Sequence, residues 1–506
     1  MWFKRDLRLR DNAALESAIR QTGKTDDRRL LLLYVFEPSL VADQHYDIRH
    51  WRFVLESITF LNKQLQDLYP LIKSKINLAV SRDSTNLASD QESGNGMSSD
   101  WQVHVFFREV PEVFEAIGRL YQIDQVFSHQ ETGLRITYDR DIKFANYCLR
   151  SGINWHEFSN NGIIRKLKNK KERFGRWTAK MNSPQQHPDF DRFKPVHLDQ
   201  NWLCKNRGYE LPESWNHRDW NFQQGGEDMA HRYMDSFFKD RILNYTQSLS
   251  KPLESRQGCS RLSPYLAWGC ISTRQVYQTV MLLLQNATSD DKKLVTELDV
   301  FLSRLKCQSS FTQQFESNDK IEFTNTNPSA QSVEISTNKE HFQRWASGQT
   351  GYPLIDACMR CLIQTGYVNF RMRALLISFL THHLFQDWKE GAKHLARTFT
   401  DFEPGIHYAQ MQLQSGMGNF QTVRVYNPVK QSYEHDPEGI FIKQWIPELV
   451  NCSERNIHEP WKMSFLQQEL SNIIIGKDYP SPVVDVLQSG KEARSKLFNL
   501  RKSKVG

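Results

Sequence analysis

Arg371 and Arg373 stand immediately before the apolar run Ala374 to Leu380. A guanidinium set beside such a core calls for a carboxylate, and Asp401 or Glu403, in the polar passage FTDFEPGIHYAQMQLQSG, can supply one. Such a pair is a buried structural ion pair at the least. It can also face the edge of a bound ring system, where it would orient donors and acceptors. His407 lies in the same passage with Gln410, Gln412 and Gln414, and the glutamines are explained as well by loop backbone that needs partners. A second constellation runs from Cys259 to Ser263, CSRLS, with Pro264 next. Its hydroxyls and backbone N–H groups at the expected start of a helix suit a phosphate, though serine caps are common on surface helices. Cys358 and Cys361 form a C-x-x-C inside an apolar helix, where small buried side chains explain them better than redox or metal chemistry. Asp356 and Arg360, four apart in that helix, are expected to pair along it.

The elements that position these groups are legible in outline. The organising stretch is Lys339 to Leu449, two breaker-bounded apolar helices followed by the polar passage. Pro353 falls at a helix start and Gly366 just past its end. From about residue 226 helix patterns succeed one another, TRQVYQTVMLLLQ and LVTELDVFLSRL among them, with no alternation of strand type. The first third reads differently. RLLLLYVF at 29–36 is a nearly continuous apolar run, as in a strand buried on both faces. WQVHVFF at 101–107, IDQVFSH at 123–129 and INWHEF at 153–158 are further strands separated by helices, one of them from about His50 to Leu68. That alternation predicts a doubly wound parallel sheet, an α/β N-terminal domain over 1–158, joined by a connection at 159–225 to an all-helical domain at 226–480, with a basic tail at 481–506. Polar segments at 82–100 and 317–338 read as insertions. No G-x-G-x-x-G follows the first strand, so an ordinary dinucleotide site there has no support.

A chain of 506 residues is too long for one core. Its net charge of +7 is a mild excess that fits a polyanion partner without demanding one. Basic residues are concentrated at Lys4 to Arg10 and at Lys166 to Arg176. Eight scattered cysteines, an opening charged from residue 4 and no long uncharged apolar run predict a soluble intracellular protein, in cytoplasm or nucleus, with no membrane partner.

Taken together, several segments resemble the photolyase/cryptochrome family. WFKRDLRLRDNAAL is similar to the family's opening, RLSPYLAWGCIS to its flavin-phosphate segment, and GQTGYPLIDACMR, FQDWKEGA and YNPVKQ with DPEGIFIKQWIPEL to its helical domain. The resemblance runs from residue 2 to about 455 and breaks at the two insertions. It implies an α/β domain that can hold an antenna chromophore of folate or deazaflavin type, and a C-terminal helical domain that binds FAD. By motif, Tyr245, Cys259, Ser260, Leu262 and Ser263 would line the phosphates and ribityl chain. Arg373 would pair with Asp401, and Asp401 and Glu403 would meet the flavin, although the family commonly has Asp-x-Asp here. His407 falls at the position near flavin N5, Asn in repair enzymes and Asp in plant cryptochromes, so it would tune the flavin's redox or protonation state.

Three departures bear on activity. Pyrimidine-dimer enzymes carry E-L-x-W-R-E, with the acid and the indole against damaged bases; this chain has Arg304-Leu305-Lys306-Cys307-Gln308-Ser309. Enzymes acting on the (6-4) lesion carry a His pair after G-W-x; this chain has Gly366-Tyr367-Val368-Asn369-Phe370. In the family's electron relay Met411 stands where the proximal Trp is expected, while Trp388 keeps the middle position. Loss of the repair groups favours a blue-light photoreceptor of cryptochrome type acting on a signalling protein. Light-driven splitting of pyrimidine dimers by reduced FAD is the alternative, with damaged or single-stranded DNA as partner, Lys389, Arg397, Arg424 and Lys430 on phosphates and Arg304 in place of the acid. A non-photochemical flavoprotein or nucleic-acid-binding scaffold is the third reading.

Overall fold

Trp2–Phe3 forms a two-residue first strand, β1, that its charged flank conceals in the sequence. In the computed structural model residues 1–22, 27–83, 100–167, 169–328, 335–336, 338–418 and 424–502 are described. The apolar run becomes β2 (Leu32–Phe36), and β3 (Val103–Phe107), β4 (Gln125–His129) and β5 (Asn154–Phe158) follow. The helices α1 (Ala13–Thr22), α2 (Ile48–Asp83), α3 (Val110–Gly118) and α4 (Arg135–Arg150) occupy the four connections. Crossover helices return each strand in the same direction, and every pairing is parallel: β1 with β2, β2 with β3, β4 with β5. α2 is longer than its periodic part suggests, because INLAV at 76–80 continues the helix. Most of the segment read as a first insertion, 84–99, lies outside the described residues.

The chain divides into two compact units, Met1–Met234 with Leu262–Gln285, and Asp235–Arg261 with Asn286–Gly506. Residues 159–225 belong to the first unit and bury Trp177, Leu203 and Trp215 in it, so this stretch is packed rather than merely connecting. The core of the sheet holds Trp2, Leu33, Val35, Phe106, Val113 and Phe144. Of the two basic places, Lys4 to Arg10 is largely structural. Lys4 pairs with Asp141 at 3.1 Å, and Arg8 donates to the Gly269 carbonyl at 2.9 Å, both cations being buried. Lys166, Lys171 and Arg176 are exposed and remain a basic surface.

Glu227 ties the opening segment down, accepting from the backbone N–H of Leu9 at 2.7 Å and of Arg10 at 3.1 Å. Burial pushes its carboxyl up to about 7, against the pull of those N–H groups and of nearby arginines. A folded-state value above the unfolded one means that folding retains a proton the free chain has shed. The associated stabilisation is therefore full below the unfolded value and is lost as pH rises through about 7. Urea midpoints are expected to fall between about pH 5 and 8, and Glu227→Gln to flatten that fall.

The second unit is helical. Its wall consists of α5 (Lys292–Ser317), α6 (Pro353–Thr365), α7 (Phe370–Ser378), α8 (Trp388–Thr398) and α9 (Pro404–Ser415). The punctuation is chemical: Pro353 and Pro404 open their helices, and Gly366 and Gly416 close them at φ of 70° and 78°. Asn369 and Asp387 cap α7 and α8 by accepting from backbone N–H groups. Packing of α9 on α5 needs Gly405, since a Cβ there would stand 2.7 Å from the Thr312 Cα. α7 runs on into a π-helical turn, Phe379–His383. Beyond it, α10 (Pro428–His435) and α11 (Ile440–Trp445) pack on α6. The basic tail is a helix, α12 (Val486–Lys502), held where Ser489 Oγ meets His383 Nδ1 at 2.9 Å.

One sequence expectation changes here. Asp356 does not pair with Arg360. Its buried carboxylate accepts from Thr350, Gly351 and Tyr479, while Arg360 reaches Glu448 at 2.8 Å, because a loop rich in N–H donors folds over the start of α6. Part of the second insertion is anchored. Gln412 donates to the carbonyls of Ile321 and Thr324 at 2.9 and 2.8 Å and accepts from Thr326, which is the backbone role foreseen for the glutamines. Residues 329–334 and 337 of that insertion lie outside the described residues.

Candidate functional site

Arg373 on α7 and Asp401, in the turn before α9, form a bidentate ion pair with N···O distances of 3.0 and 2.7 Å. The Asp401 side chain is almost wholly buried, whereas that of Arg373 keeps 26% of its surface. Arg373 also donates to the Val368 carbonyl, and its guanidinium lies 4.0 Å from the centre of the Phe399 ring. The fork geometry fixes both groups with few soft torsions, which is what a rigid edge for a planar ligand requires.

Tyr367, which sequence reasoning noted only as a departure from a family motif, is the hub beside this pair. Arg261 lies 3.7 Å over its ring and Arg373 at 5.8 Å. Burial pushes the Tyr367 phenol up to about 12, with Cys259 and Asp401 among the groups that act on it. Cys259 is buried too, its thiol pushed up to about 11 by desolvation, so it is a packing thiol and not a nucleophile at neutral pH. Tyr245 is buried between the rings of Phe237 and Phe301, and burial raises its phenol strongly. Ser260 is half-buried, and its carbonyl accepts from Arg241 at 3.5 Å. Arg261 adopts φ of 59°, the left-handed region, which is unusual for a residue with a side chain and points to a local functional constraint. Arg256 adds a third guanidinium, with Nη1 3.4 Å from the Tyr367 carbonyl. The sequence signal for these arginines was their spacing around CSR, and serines drew the attention instead.

Leu262 and Ser263 fall in the first unit. Leu262 is buried and precedes a five-residue helix, Ser263–Ala267, without any side-chain cap, so no serine capping stands there.

Along α9 the expected residues are distributed as follows. Glu403 is the N-cap, accepting from Gly405 N–H at 3.4 Å and from the Thr312 hydroxyl at 3.1 Å. His407 is buried, with Nε2 2.8 Å from the Ala392 carbonyl, which assigns the proton to that nitrogen. Phe402 and Tyr408 meet its ring edge-on at 5.1 and 5.6 Å. Met411 is buried one turn further on. Trp388, first residue of α8, donates from Nε1 to Asn325 at 2.8 Å and lies edge-on to Tyr408 at 6.2 Å. Tyr408 stacks in turn on Phe315 at 6.1 Å, a neighbour that the sequence did not mark.

Arg304 and Cys307 are exposed on α5. The Arg304 guanidinium lies 5.9 Å from the ring of Phe370, itself exposed. Arg397, Arg424 and Lys430 are also exposed, and Lys389 is half-buried. Among the described residues no cluster of metal-ligating side chains occurs, and no helix is long and apolar enough to cross a membrane.

Residues 301–499 match the family model described as the FAD binding domain of DNA photolyase, and residues 1–85 match the model described as DNA photolyase. A deoxyribodipyrimidine photo-lyase of Alkalihalophilus pseudofirmus is 27% identical, over 98% of this chain and 96% of its own length. The fold is similar to that of a cryptochrome from Synechocystis, with a TM-score of 0.78 at 23% identity over 98% of each chain. It is also similar to that of an archaeal photolyase from Sulfolobus tokodaii, described with two FAD molecules and the implication of a novel light-harvesting cofactor; the TM-score is 0.70 at 23% identity, over 98% of this chain and 99% of that one. The donor set fits the cofactor named by the first family model. Arg261, Arg373 and Asp401 offer cations and a fixed acceptor around one aromatic hub.

Proposed function

Because this chain belongs to the photolyase/cryptochrome family and carries its FAD-binding domain, we propose that it is a blue-light photoreceptor of the cryptochrome kind. Arg304 carries this reading. Where a dimer-splitting enzyme of the family would hold a carboxylate and an indole, α5 carries an exposed Arg304 facing Phe370, with Cys307 in place of the indole.

Bound FAD supplies blue-light absorption and one-electron chemistry. The protein's own groups do the rest. The Arg373–Asp401 fork would set one rigid edge of the site, Asp401 offering an acceptor and Arg373 a donor to the bound group. Glu403 is taken up by the cap of α9, so its carboxylate acts by fixing the start of that helix. His407 keeps its proton at Nε2 through the Ala392 carbonyl, presenting a ring of fixed orientation. Tyr245, Cys259 and Ser260 bound the same region, while Leu262 and Ser263 continue that segment in sequence. Met411 is not a readily oxidised ring, which leaves Trp388 and Tyr408, in edge contact, as the oxidisable rings of α8 and α9.

Dimer repair is the second reading. It is favoured by the full-length likeness to a named photo-lyase and by the exposed Arg304, Phe370, Arg397, Arg424 and Lys430, which suit a nucleic-acid backbone and unstacked bases. In either case we infer that the first unit takes a second, light-harvesting ring, as described for the archaeal relative. FAD-loaded protein illuminated with a thiol reductant is expected to change its flavin absorption, while dimer content in damaged single- and double-stranded DNA stays constant. A flavin spectrum indifferent to light sinks both readings, and dimer loss that depends on light replaces the first by the second.

A further inference from the structure

The basic stretch from Arg165 to Arg176 belongs to the first unit and supplies none of the residues of the site described above. Lys or Arg fills more than half of its positions and Glu172 is its single acid, in a chain whose 65 basic residues are nearly matched by 58 acidic ones. A run of charge is most often a solvated face with both signs interspersed, and this one is not interspersed. Part of it serves the fold: Arg165 donates to the Glu131 carbonyl at 3.2 Å and lies 5.3 Å over the Tyr138 ring.

The others are held differently. The helix Arg173–Asn182 buries Trp177 and Met181, which fixes its orientation on the unit. Its first turn then presents Arg173, Phe174 and Arg176 away from the core, with Lys166 and Lys171 exposed just ahead of it. Among the described residues Lys166, Lys171 and Arg173 form no ion pair, and Arg176 has only the exposed Glu172 at 2.7 Å. An exposed pair of that kind contributes little, so a phosphate can displace it. Phe174 keeps 50% of its surface exposed, and the Arg173 guanidinium stands 4.3 Å over its ring. Beside it, a Cβ built on Gly175 would meet nothing within 4 Å, so the approach to the ring is open. A single exposed ring is ordinary. Set among unpaired cations, it makes a stacking platform with phosphate sites around it. A lipid surface would call for a broader apolar face, and Phe174 is the one large apolar side chain exposed on this helix.

We propose that this surface binds single-stranded nucleic acid without regard to sequence or lesion, Lys166, Lys171 and Arg176 meeting phosphates while Phe174 and Arg173 meet an unstacked base. A single strand is specified because the bases of a duplex are stacked on one another and leave no face for the ring. The contact is independent of whether the flavin site senses light or repairs dimers. FAD-loaded protein is titrated in the dark with a fluorescent, undamaged oligothymidylate at several salt concentrations, an abasic strand of the same length serving as the base-free probe. Saturable binding that weakens steeply with salt is expected. Lys171→Glu with Arg176→Glu should weaken it at least tenfold and lower the slope of log affinity against log salt by about 0.7 per lost contact. Phe174→Ala should weaken oligothymidylate binding about tenfold and leave binding of the abasic strand unchanged. Flavin content and urea midpoint should stay at wild-type values in each variant, since the altered side chains are exposed. Unchanged oligothymidylate affinity in the double variant overturns the surface, as does a loss confined to Arg397→Glu with Arg424→Glu, which places the strand on the second unit. Phe174→Ala acting alike on both strands, or on neither, leaves a general polyanion patch and overturns the assignment to nucleic acid.

Discussion

Replacing Asp401 by alanine is expected to strip the protein of its flavin and to lower its stability by about 2–4 kcal/mol. The carboxylate is buried and accepts both arms of the Arg373 fork, so its loss leaves a guanidinium against Phe399 and the Val368 carbonyl with no counter-charge. The upper part of the usual range for a broken buried pair is not reached, because Arg373 retains partial contact with water. Asp401→Asn keeps the shape and removes the charge; it should retain more stability than alanine but still bind flavin poorly, since the amide cannot hold the fork. Flavin-to-protein absorbance after gel filtration and the urea midpoint are the readouts. Wild-type flavin content in both variants would remove the clasp from the site and leave Arg261 and Tyr367 as its organisers. Wild-type stability in both would show that Arg373 finds a second acceptor.

The same residues show why some of the site was legible and some was not. A cation beside a long apolar run has few ways to be satisfied, so a carboxylate partner for Arg371 or Arg373 was legible, but the residues alone left Asp401 and Glu403 open, and the Arg373–Asp401 pair followed from the family resemblance. Helix ends at Pro353 and Gly366 were legible because fixed φ and left-handed φ are properties of the residue alone, whereas the helix that Pro404 opens was read as a polar passage. The places of β2 to β5 along the chain followed from short apolar segments separated by helices. β1 was missed because two residues carry no period. Tyr367 was missed as a hub because Cys259 and Arg261 come from a segment more than a hundred residues before it, and nothing local announces their meeting with Arg373. Lys4 and Arg8 read as a basic patch because sequence shows charge and hides burial; the acid paired with Lys4, Asp141, is 137 residues away. Asp356 misled for the opposite reason. An i,i+4 partner was available in the helix, and a stronger set of donors outside it won.

That contest sets the second large expectation. Asp356→Ala should cost on the order of 3–5 kcal/mol and loosen the segment that follows α11. The carboxylate is fully buried and accepts from Thr350 N–H at 2.7 Å, Thr350 Oγ1 at 2.6 Å, Gly351 N–H at 3.0 Å and Tyr479 Oη at 2.6 Å. Truncation leaves four donors without an acceptor in a space that water does not reach, and an unmade buried hydrogen bond costs more than a made one returns. The loop so anchored also binds the late chain, through Val483 N–H to the Thr350 carbonyl at 3.0 Å and the Tyr352 hydroxyl to the Val484 carbonyl at 2.7 Å. Limited proteolysis should therefore open first between Tyr479 and Val484 in Asp356→Ala. Tyr479→Phe, which removes one donor and leaves the other three satisfied, should cost only about 1–2 kcal/mol. Equal losses for the two variants would mean that the phenol, and not the carboxylate, is the centre of the knot. Burial raises the Asp356 carboxyl against the pull of its donors, so the proton on it is retained to higher pH in the folded chain than in the unfolded one. Its contribution to stability accordingly falls as pH rises through that raised value, and the difference between wild type and Asp356→Ala should narrow in the same direction.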